Sequence, residues 1–100
     1  MSDTAYSKNN VPIRLPDERW NHIIEEHGEL GFFKQEVLQT LANPQRIVAG
    51  QVGELIAIRA IEKEKWLVVI YKEDKKDGFV ITAFLTRRRR WWEKRKQLWP

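Results

Sequence analysis

The sequence predicts an α+β fold, and three observations carry that expectation. Residues 17–42 set their apolar side chains at helical spacing, residues 46–86 switch to extended, β-branched runs broken by turn signals, and residues 87–100 return to helix formers. Strands joined by short connections pair antiparallel. The expected architecture is therefore two N-terminal helices, a four-stranded antiparallel meander and a basic C-terminal helix. One hundred residues suit one domain with one core.

In chain order, residues 1–10 are polar and read as a flexible tail ahead of a single domain over 11–100. Pro12 and Pro16 restrict residues 11–15 to a short edge strand or an extended arm. Across residues 17–30, Trp20, Ile23, Ile24, His27 and Leu30 fall in one stripe with His27 near its centre. Arg19, His22, Glu25, Glu26 and Glu29 fall largely outside it. Asp17 is placed to cap this helix, and Gly28 and Gly31 to end it. A second helix over 32–42 carries Phe33, Val37, Leu38 and Leu41 on one face and stops at Asn43-Pro44. Strands follow at 46–51, 54–61, 66–72 and 79–86, the second apolar on both faces and so central, with Gly78 closing the last hairpin loop. Residues 88–98, without internal glycine or proline, read as a helix.

Charge is unevenly placed. Within residues 87–100 seven basic side chains face Glu93 alone, whereas the rest of the chain is net acidic. A basic end of this kind points to a polyanion, nucleic acid above all. Arg87, Arg88, Arg89, Arg90 and Lys94 suit phosphate. Trp91, Trp92 and Trp99 can pack on the sheet or stack on unpaired bases. No apolar run is long enough to span a membrane, and the start has no signal-peptide core, so a cytoplasmic protein without membrane contact is expected.

Several chemistries lack their residues. Without cysteine there is no disulfide, thiolate ligand or cysteine nucleophile. His22 and His27 lie about 140° apart on a helix and cannot grip one ion, and His22 with Glu26 lacks a third ligand. The only serines, Ser2 and Ser7, lie in the expected tail, and no glycine-rich phosphate loop or dinucleotide fingerprint occurs. Neither metal nor cofactor is expected. What remains is an imidazole, a cation and a hydroxyl. His27, set among apolar neighbours, must bond across the core or line a cleft. Arg59 interrupts an apolar strand, so it must reach a helix carboxylate or face water. Thr82 lies in the last strand, and Tyr71 and Lys72 end the third.

Taken together, Trp20-x-His22-Ile23-x-x-x-His27-x-Glu29-Leu30, Asn43-Pro44, the strand bearing Arg59, Val68-Val69-Ile70-Tyr71 and Gly78-Phe79-Val80-Ile81-Thr82-Ala83-Phe84 resemble small bacterial and phage-derived domains of the barnase, EndoU, colicin D and RelE nuclease superfamily. The resemblance covers about residues 13–84 and spares the arginine tail. It departs at Gly28, where many such domains have proline. It implies a helix pair before a four-stranded antiparallel sheet and, in active members, metal-independent RNA cleavage. Carried over, His27 is the acid or base, Arg59 steadies the phosphate and Thr82 offers a hydroxyl. The second acid or base stays open among His22, Tyr71, Lys72 and a carboxylate.

The leading expectation is thus a ribonuclease-like protein, a toxin or a domesticated phage nuclease, acting by 2′-hydroxyl attack. Its substrate contacts are Arg87, Arg88, Arg89, Arg90, Lys94, Tyr71 and Lys72. The alternative is a non-catalytic domain whose basic C-terminal helix binds nucleic acid or docks a protein partner of the antitoxin kind.

Overall fold

The apolar runs of the second half form the middle of a larger sheet. The computed structural model describes residues 2–88 and 90–100. Its elements are β1 (Ser2–Tyr6), β2 (Pro12–Pro16), α1 (Asp17–Glu26), a 3-10 turn (Gly28–Leu30), α2 (Lys34–Ala42), β3 (Arg46–Ala49), β4 (Leu55–Glu62), β5 (Lys65–Glu73), β6 (Gly78–Thr86), α3 (Arg90–Glu93) and β7 (Gln97–Trp99). Among the described residues the sheet has seven strands in the order β1-β2-β6-β5-β4-β3-β7. The β2–β6 pairing is parallel and the others are antiparallel.

Two helices ahead of a four-stranded meander is therefore not the architecture. Strands β3 to β6 do pair in succession, but strands from both ends of the chain extend them. The segment read as a tail supplies β1, which pairs with β2 from Ser2↔Pro16 to Tyr6↔Pro12 and buries Ala5. Asp3 on β1 meets Lys34 of α2 at 2.6 Å. Composition marks these residues as polar, yet backbone pairing needs only one inward side chain in two, and here small residues suffice. The expected C-terminal helix shrinks to the four residues of α3. Beyond it the chain extends, and Gln97 and Trp99 pair with the open edge of β3. Tertiary pairing overrides the helix propensity of residues 94–98.

Both faces of the sheet are covered. Helix α2 packs against β1, β4 and β5 together, so the sheet curls around it, and the edges approach where Lys8 Nζ lies 4.8 Å over the Trp99 ring. On this concave side Ile13, Leu15, Trp20, Ile23, Leu30, Val37, Leu41, Leu67, Val69 and Tyr71 form the main core. Alternation along β4 and β5 sends Ile56, Ile58 and Val68 to the convex side, where Trp92 of α3 covers them.

Helix α1 starts after Pro16, whose φ of −64° and ψ of 150° direct the chain into the helix. Asp17 and Glu18 then favour the positive end of the helix dipole, and the N-cap position falls on Pro16 rather than on Asp17. The helix ends sooner than the apolar stripe suggests. His27 leaves helical geometry at φ −131°, ψ 70°, and Leu30, fully buried, anchors the 3-10 turn. Burying one such leucine contributes about 1.5–3 kcal/mol, enough to hold the turn against the core.

Candidate functional site

Beyond Phe79, the edge of β6 away from β5 has no strand partner among the described residues, because β2 pairs only at Ile13↔Gly78 and Arg14↔Phe79. Helix α1 lies alongside this edge and leaves a groove. One part, of about 520 Å³, is lined by Arg19, His22, Glu26, His27, Ile81, Thr82 and Phe84. It adjoins a second part of about 560 Å³ through Arg19 and His22, which line both, and there Arg14, Glu18 and Phe79 complete the wall.

Local structure explains each side chain. Arg19, His22 and Glu26 recur at three- and four-residue spacing and so share one stripe of α1. His22 Nε2 lies 2.7 Å from Glu26 Oε1, which orients the imidazole. His27 sits just past the helix end with its side chain 34% exposed, its Nδ1 3.8 Å from Glu29 Oε2 and its ring 5.9 Å from that of Phe84. The register of β6 slips between Ile70↔Thr82 and Tyr71↔Val80, making Ile81 an extra residue. A bulge re-aims side chains, and this one brings Ile81 and Thr82 to the groove wall. At the far end Arg14 grips Asp77 with two hydrogen bonds, of 3.1 and 2.8 Å, and this holds the Asp77 carboxyl below its ordinary range.

The expected site residues divide. His27 and Thr82 line the same groove. Arg59 does not: it faces α2, where its Nε donates to Thr40 Oγ1 at 3.3 Å and its Nη2 to the Glu36 carbonyl at 3.4 Å. The helix answers this arginine with a hydroxyl and a backbone oxygen rather than a carboxylate. Tyr71 is 1% exposed within the main core, and burial first, then the Glu73 carboxylate, push its phenol far above the ordinary range. A substrate cannot reach it. Lys72 is exposed on the opposite side of β5 and donates to the Val52 carbonyl at 3.3 Å.

Around the sheet from His27 the basic end begins. Arg87, Arg88, Arg90 and Trp91 line a surface depression of about 510 Å³. Lys94 is exposed just beyond α3, and Arg89 lies outside the described residues. Trp92 is buried rather than offered to a ligand. Among the described residues no three metal-ligating side chains cluster, and no helix is long and apolar enough to cross a membrane.

Arg19, Glu26 and Phe84 are absent from the site expected from sequence, and His22 is there only as one of the open choices for the second acid or base. The signal was present: a stripe of arginine, histidine and glutamate beside the apolar one. What it lacked was the knowledge that β6 presents a free edge to that stripe. Comparison with protein-family models, curated proteins and solved structures gives no match, so function rests on the chemistry of this groove.

Proposed function

We propose that the α1–β6 groove binds RNA and cleaves it without a metal, by attack of a ribose 2′-hydroxyl on the adjacent phosphorus. The observation that carries this reading is the meeting of two imidazoles, a guanidinium and a hydroxyl (His22, His27, Arg19 and Thr82) in one open groove.

Each group has work in that reaction. One neutral imidazole takes the 2′-hydroxyl proton as the oxygen attacks phosphorus. The other, protonated, gives its proton to the departing 5′-oxygen, leaving a 2′,3′-cyclic phosphate and a free 5′-hydroxyl. Arg19 meets the negative charge that grows on the non-bridging oxygens, and Thr82 donates a hydrogen bond to the same phosphate. Glu26 holds His22 in orientation. The cationic role that the family resemblance gives to Arg59 passes to Arg19, since Arg59 is engaged by α2.

The test is incubation of purified protein with RNA in excess chelator, followed by analysis of the ends. Cyclic phosphate ends are expected. His27→Ala and His22→Ala should each slow cleavage by about 100-fold or more, the usual contribution of a general acid or base. A wild-type protein that cuts no RNA, or a His27→Ala variant that cuts at the wild-type rate, would refute the reading.

A further inference from the structure

Three rings and a guanidinium form a continuous series leading away from His27. The His27 and Phe84 ring centroids lie 5.9 Å apart, and those of Phe84 and Trp91 5.8 Å apart. The Arg95 guanidinium follows at 5.6 Å from the Trp91 ring. Trp91 is half-buried, whereas its neighbour Trp92 is sealed at 4% exposure against β4 and β5. The two adjacent tryptophans thus differ in kind, one sealed in the core and one packed at its margin with part of its ring exposed.

The exposed part of the Trp91 ring is framed by cations. Arg87, Arg88 and Arg90 line the depression beside Trp91, and among the described residues no carboxylate lines it with them. The Thr86 hydroxyl, accepting from the Arg88 backbone N–H at 3.0 Å, fixes the turn by which the arginines leave β6. An aromatic face within a ring of guanidinium groups matches a nucleobase whose flanking phosphates need neutralising. A duplex hides its base faces in the stack. An unpaired strand exposes them.

We propose that Trp91 is a base-stacking subsite for single-stranded RNA. A strand whose reacting phosphate lies at His27 lays a base about one or two nucleotides further along on Trp91, and Arg87, Arg88 and Arg90 hold the flanking phosphates. That the strand is RNA rests on the cleavage proposed above; the stacking itself does not.

Binding is measured by titrating wild-type and variant proteins, each confirmed as folded by circular dichroism. The ligands are a single-stranded oligoribonucleotide whose 2′-hydroxyls are methylated against cleavage, a duplex of the same length, and inorganic polyphosphate. Trp91→Leu keeps an apolar side chain against Phe84 but removes the π-face. It should weaken the single strand about tenfold, leave polyphosphate within twofold, and be rescued by Trp91→Phe. Replacing Arg87, Arg88 and Arg90 by Gln should weaken all three ligands and flatten the salt dependence. Equal loss of polyphosphate and single strand in Trp91→Leu, no loss of either, or preference of the wild type for duplex would overturn the subsite. Because the oligonucleotide cannot be cleaved, these results stand apart from the cleavage assay: an inactive protein that stacks bases refutes only the catalysis, and an active one indifferent to Trp91→Leu refutes only the subsite.

Discussion

Arg59 and His27 show how far a single residue can be read from sequence. That an arginine amid Ile56, Ala57, Ile58 and Ala60 needs polar company follows from the cost of burying an unpaired charge. The identity of that company does not follow, because it depends on α2 crossing the concave face at Thr40 and Glu36. Both bonds are long, at 3.3 and 3.4 Å, and the side chain is half-buried. Arg59→Met should therefore cost about 1 kcal/mol in chemical denaturation while leaving RNA cleavage within a few-fold of wild type. A 100-fold loss of cleavage with stability intact would return Arg59 to the reaction. His27 was legible as a ring that must meet something, but periodicity set it inside the helix. Gly28 and the buried Leu30 end the helix earlier and turn the imidazole toward Phe84.

Helices α1 and α2 and strands β3 to β6 were legible because each repeats its own period over several residues. Strands β1, β2 and β7 were less legible for different reasons, β2 being read as a short edge strand or an extended arm although β1 and β6 flank it. The first alternates small residues with polar ones, the second is bracketed by prolines, and the third has only three residues and exists because β3 offers an edge. Gly78 shows what such pairing demands. Read as a loop residue, it is the first of β6 and sits where β2 joins in parallel; a Cβ there would collide with the Lys72 carbonyl oxygen and the Ile13 side chain. The carbonyl is backbone and cannot step aside. Gly78→Ala should lower the unfolding free energy by about 1–3 kcal/mol, the range for overpacking a tight site. An unchanged denaturation midpoint would mean that the β2–β6 junction has room for a methyl group.

For the molecule entire, the basic excess noticed in the last fourteen residues acquires a direction. The sheet's curl closes its concave side around α2, and beyond Phe79 the outer edge of β6 has no strand partner among the described residues. Helix α1 sets arginine and histidine along that edge, and the chain after β6 continues the line with Arg87, Arg88, Arg90 and Trp91. Composition alone gives the sign of charge that this basic end would attract. Only the fold joins the basic end to His27, which lies far from it in sequence, whereas Thr82 belongs to the strand that runs directly into Arg87. A polyanion lying from Phe79 past His27 to Trp91 would touch both. Nuclear magnetic resonance with a non-cleavable, 2′-O-methylated single-stranded oligonucleotide tests this path most directly. Binding should move the imidazole signals of His22 and His27, the Thr82 amide and the Trp91 indole together, at one common dissociation constant. Shifts restricted to the α2 side of the sheet, or an unchanged spectrum at saturating oligonucleotide, would contradict it.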